Sequence, residues 1–60
     1  SMNIDTKFNL AQSVFIPEIE RPGTIIEILI DTFGVMYKVR YFSDGSAKSV
    51  YFFSKELKEA

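Results

Sequence analysis

The sequence has no cysteine, no histidine and no tryptophan, and only two prolines and three glycines among its 60 residues. Without cysteine no disulfide can staple the chain. Without cysteine or histidine, zinc, haem and iron–sulfur centres also lack their usual ligands. The same absences exclude Ser-His-Asp and Cys-His catalysis and leave no side chain that titrates near neutrality by default. Long apolar runs are missing too: stretches such as Ile28 to Ile30 fall far short of the ~20 residues of a membrane helix. Neither sign of charge dominates. Seven Lys and Arg stand against eight Asp and Glu, a formal charge of −1, which is no footprint for non-specific nucleic-acid binding. Ser1 to Gln12 has neither the basic start nor the apolar stretch of a signal peptide, and Ser1 ahead of Met2 reads as a cloning remnant. A cytoplasmic protein with no cofactor and no membrane contact is expected.

The absences also bear on stability. A domain of this length buries only roughly 60% of the surface its unfolded chain exposes. Small scaffolds compensate with disulfides, a metal or oligomerisation. With the first two removed, self-association or docking on a protein partner is the expected supplement.

What the chain does have is β-branched and aromatic residues, including six phenylalanines and three tyrosines. Gly34 to Phe53 reads as a hairpin, two such runs joined by Asp44-Gly45. Asp-Gly suits a type I′ turn, in which both central residues take φ > 0 and the turn's twist matches that of the strands. That turn sets Ser43 opposite Ser46, Tyr41 opposite Lys48, Val39 opposite Val50 and Tyr37 opposite Phe52 on a mostly apolar face. Arg40 opposite Ser49, Lys38 opposite Tyr51 and Met36 opposite Phe53 make up the other face.

Thr24 to Asp31 is the best central strand. With Asp31 to Gly34 as a four-residue loop, Ile30 meets Val35, Ile28 meets Tyr37 and Ile26 meets Val39, so the apolar face continues across this strand. The second face then collects Glu27 opposite Lys38, Ile25 opposite Arg40 and Leu29 opposite Met36. Gln12 to Ile16 is a short strand stopped by Pro17, which cannot donate to a ladder. Pro17 to Gly23 is a loop ending in a type II turn signal, Pro22 then Gly23, with Ile19 tucked beneath it. Residues 1–7 read as an arm and residues 8–58 as the domain, with Phe8 and Leu10 on one side of an extended anchor. Ser54 to Leu57 forms one helical turn, Leu57 closes the core, and Lys58 to Ala60 frays.

This order of short strands and one late helical turn resembles the SH3-like small barrels, an all-β architecture of about five antiparallel strands. In its KOW and Tudor branches a first strand of the Val14-Phe15-Ile16 kind precedes a loop, then a glycine opening an aliphatic strand, as Gly23 does before Thr24 to Ile28. The resemblance covers roughly Ser13 to Leu57 and implies a fold rather than a function. The chain departs from it in having Ala11-Gln12 where a Gly-Asp turn often stands. Its general character also resembles small proteins carried by phages and mobile elements.

Several functional readings follow. If exposed, the second face, with Ile25, Leu29, Met36, Tyr51 and Phe53, is a protein interface, and a non-catalytic, self-associating binding module is the leading expectation. Lys38, Arg40 and Lys48 beside those rings are the raw material for contacts to nucleic acid or another anion. A Tudor-like cage for a methylated cation would draw on Tyr37, Tyr41, Phe42, Tyr51 and Phe53. Type II dihydrofolate reductases are similar barrels carrying a Val-Gln-Ile-Tyr run. Val50-Tyr51-Phe52-Phe53 stands in its place, with Tyr51 replacing the Gln that makes the polar contacts, so no catalytic residue is assigned and no enzyme is expected.

Overall fold

The computed structural model describes residues 6–60. The five residues before them include most of the expected arm, which therefore lies outside the described residues. The chain runs β1 (Ser13–Ile16), β2 (Arg21–Asp31), β3 (Gly34–Ser43), β4 (Ser46–Phe53), a 3₁₀ turn (Ser54–Glu56) and β5 (Lys58–Glu59). The strands form one antiparallel sheet in the order β4-β3-β2-β1-β5. β4 and β5 stand at its two ends and are not paired with each other, so the sheet is open.

The central hairpin forms in the register the turn dictates, from Ser43 opposite Ser46 to Met36 opposite Phe53. Asp44 (φ 53°) and Gly45 (φ 76°) both take the left-handed conformation that a type I′ turn requires. The β2–β3 hairpin is tighter than expected. Asp31 pairs with Gly34, and the Asp31 carboxylate accepts the Phe33 N–H at 2.7 Å, so only Thr32 and Phe33 turn the chain.

β2 corrects the expected pattern. Ile30, Leu29, Ile28 and Glu27 meet Val35, Met36, Tyr37 and Lys38 as read, but a bulge then intervenes and Ile25, not Ile26, lies opposite Val39. Ile25 is pinned from its other side: its N–H donates to the Gln12 carbonyl at 3.0 Å and its carbonyl accepts the Ala11 N–H at 2.8 Å. The bulge falls where β2 leaves β1, and the extra residue re-aims the strand. Ile25 therefore turns into the core, 1% exposed, and Ile26 turns out.

The core is Phe8, Val14, Ile16, Ile25, Tyr37, Val39, Phe52 and Leu57. Phe8 meets Tyr37 edge-on, with ring centres 5.4 Å apart. The Tyr37 hydroxyl accepts the Lys7 N–H at 2.8 Å, which holds residue 7, the last of the expected arm, against the sheet. Leu10 does not share this anchor and is exposed, because the chain turns at Ala11 (φ 68°) instead of staying extended.

Three further expectations change. The β1–β2 connection is only residues 17–20, with Glu20 rather than Gly23 in the left-handed region and Ile19 exposed. Pro22 lies inside β2, opposite Phe15 and before the β3 ladder begins, where a missing N–H costs no bond to β3. Gly23 is needed for space: a Cβ there would collide with Val39 Cγ1 and sit 3.0 Å from the Arg40 carbonyl oxygen. Lys58 and Glu59 do not fray, because they pair with Phe15 and Val14.

Candidate functional site

The face opposite the core is built in rows across β2, β3 and β4. Alternation along each strand places Leu29, Met36 and Phe53 side by side, then Glu27, Lys38 and Tyr51, then Thr24, Arg40 and Ser49. The first row is apolar, with Leu29 38% and Phe53 37% exposed and Met36 half-buried between them. Toward the β2–β3 turn Phe33 is exposed as well, and so is Ile30 on the opposite face. Past the bulge β2 has no strand on its β1 side among the described residues, and β4 ends opposite Met36, so beyond Ile28 and Val35, which still pack on the core, this end of the hairpin projects from it.

The second row is a polar contact chain. The Tyr51 hydroxyl donates to the Glu27 carboxylate, and the Lys38 ammonium lies 5.6 Å from the centre of the Tyr51 ring. The hydrogen bond to Glu27, with smaller effects of desolvation and the carboxylate charge, raises the Tyr51 hydroxyl above its ordinary value of 10.0. In the third row the Arg40 guanidinium sits 4.9 Å from the centre of the exposed Phe42 ring. Beside it an open cleft of about 270 Å³ is lined by Ser13, Pro22, Gly23, Thr24, Tyr41 and Phe42 together with Arg40.

The structure brings four of the five expected interface residues together: Leu29, Met36, Tyr51 and Phe53 share this face. Ile25 is removed from it by the bulge and belongs to the core. Of the three expected cations, Lys38 and Arg40 lie on this face. Lys48 does not: it sits opposite Tyr41 on the other face, with its ammonium 4.0 Å from the Asp44 carboxylate. The rings considered for a methyl-cation cage are also divided, Tyr37 and Tyr41 on the core side and Phe42, Tyr51 and Phe53 on the other, so they do not converge.

Two features escaped the sequence reading. Phe33, 84% exposed, was hidden in what read as a loop; a large aromatic between Asp31 and Gly34 was the available signal, since a turn gives it no core to enter. The other is Glu56, whose carboxylate accepts the Phe53 N–H at 2.8 Å. No group of three or more Asp and Glu among the described residues is placed to hold a metal ion, and no helix among them is long and apolar enough to cross a membrane. Comparison of the chain with protein-family models, with curated proteins and with solved structures finds no match.

Proposed function

We propose that this chain is a non-catalytic, cytoplasmic binding module that acts through protein–protein contact, with the row Leu29, Met36 and Phe53 as its contact surface. One observation carries the reading: an apolar row spans three strands on the face turned away from the core, with Leu29 and Phe53 exposed on either side of a half-buried Met36. Contiguous apolar surface rimmed by polar groups marks protein contact sites, and Glu27, Lys38 and Tyr51 supply such a rim. A second copy is the first partner to test, because a chain this small without disulfides gains most from burying such a row. The strand order and the 3₁₀ turn before β5 support an SH3-like small barrel as the scaffold.

The test is solution mass by light scattering over a range of concentrations, for the wild type and Leu29→Glu. Wild-type mass above the single-chain 6.9 kDa, reduced in the variant, is expected. A variant that associates as the wild type does would remove the row from the interface. A second reading rests on Arg40 and the exposed Phe42, which together offer a ring and a cation to single-stranded nucleic acid. Binding to an oligonucleotide that weakens steeply with salt would favour it.

A further inference from the structure

β4 is an edge strand, and its free side follows from its turn. In a two-residue hairpin the residues flanking the turn, here Ser43 and Ser46, exchange hydrogen bonds, and bonded pairs alternate with unbonded ones from there. Ser46, Lys48, Val50 and Phe52 therefore direct their backbone groups at β3, whereas Ala47, Ser49, Tyr51 and Phe53 direct theirs outward. The Phe53 N–H agrees with this assignment, since it is free to meet the Glu56 carboxylate. That bond occupies the last outward donor. Among the described residues the open edge is thus the segment Ala47 to Tyr51, with three outward N–H groups.

Edges are normally defended by proline, a bulge, short length or several charges. β4 is eight residues long, contains no proline, keeps an unbroken register with β3 and carries only Lys48 as a charge. Its apolar surface is uncovered as well. Val50 is 42% exposed, although its partner Val39 on the same face is fully buried.

We infer that β4 pairs antiparallel with β4 of a second copy about a twofold axis through Ser49. This rests on the reading of the chain as a self-associating module, and it uses a surface other than the outer row. The Glu56 bond selects the register. Centring on Ser49 sets Ser49 against its own copy and Ala47 against Tyr51 twice over, so every outward N–H of the segment finds a carbonyl and Phe53 is not called upon. The side chains suit this register: small Ser meets small Ser, Ala makes room for the Tyr51 ring, and no like charges face each other. Lys48 falls beside Val50 of the other copy, where its alkyl stem can cover the exposed valine. The contact is isologous and closes at two copies.

Because the chain has no cysteine, single cysteines report the register directly. Across a bonded antiparallel pair the Cα atoms are about 5.5 Å apart, inside the ~4.4–6.8 Å range that a disulfide spans. The two Ala47 residues would lie four positions out of register, roughly 14 Å apart at ~3.4 Å per residue. Under mild oxidation Ser49→Cys should form covalent dimer at least tenfold faster than Ala47→Cys, and should do so equally well with Leu29→Glu present. Equal rates for the two cysteines, or no dimer from either, would overturn the pairing. Ser49→Pro removes an outward N–H and no bond to β3, so the folded variant should have a lower mass than the wild type; wild-type mass in that folded variant would also overturn the pairing. Cross-linking lost while Leu29→Glu still abolishes association would sink the edge pairing and leave the outer row standing.

Discussion

Replacing Gly23 with alanine tests the packing of β2 against β3 at a single atom. Gly23 has no positive φ, so alanine is not opposed by its backbone conformation. It is opposed by space: the added Cβ collides with Val39 Cγ1 and meets the Arg40 carbonyl oxygen at 3.0 Å. Val39 is fully buried and the carbonyl belongs to the β3 backbone, so neither can swing away as a surface side chain would. Overpacking of this kind costs about 1–3 kcal/mol. A 60-residue domain holds roughly 3–9 kcal/mol in total at ~0.05–0.15 kcal/mol per residue, so the loss is a large share. At about 4–8 °C per kcal/mol for a domain of this size, the melting temperature should fall by roughly 5–20 °C. Thermal and urea unfolding followed by circular dichroism would measure it. Val39→Ala provides the internal control. It is destabilising alone, but it removes the colliding methyl, so the double variant should cost about 1 kcal/mol less than the sum of the single ones. Gly23→Ala within about 0.5 kcal/mol of the wild type, or strict additivity in the cycle, would refute the close-approach argument.

Two further predictions concern single hydroxyls. Tyr37→Phe keeps the buried ring but removes the acceptor of the Lys7 N–H, so stability should fall by about 1–3 kcal/mol and the Lys7 amide should exchange much faster; unchanged exchange would show that residue 7 is held by something else. The raised Tyr51 hydroxyl means that the folded state favours the protonated phenol. Its stabilising effect is complete below the unfolded value of 10.0 and is lost as pH rises through the higher folded value. Site-resolved NMR titration should place Tyr51 above 10.0 and return it toward that value in Glu27→Ala; a Tyr51 titration indifferent to Glu27 would exclude the hydrogen bond as the cause.

The residues themselves determined whatever depends on neighbours along a hairpin. Asp44-Gly45 permits a turn that twists with its strands, and period-two alternation then carries the pairing without error from Ser43 and Ser46 to Met36 and Phe53. The same rule held from Ile30 back to Glu27, and it placed Tyr37, Val39 and Phe52 in the core and Leu29, Met36 and Phe53 in one row on the other face. It failed at Ile26, where the outcome depends on a third strand. The backbone of residues 11 and 12 bonds Ile25, and the bulge that follows reverses the faces of Ile25 and Ile26, which two-strand reasoning cannot anticipate. The last residues show the same division. Lys58 and Glu59 have no local reason to be extended and are a strand only because β1 offers them an edge. Gly23 reads as a turn glycine beside Pro22, yet the tertiary structure requires it so that Val39 can pack over bare backbone. Glu56, unremarkable in sequence, closes one end of the β4 edge and leaves the segment around Ser49 open.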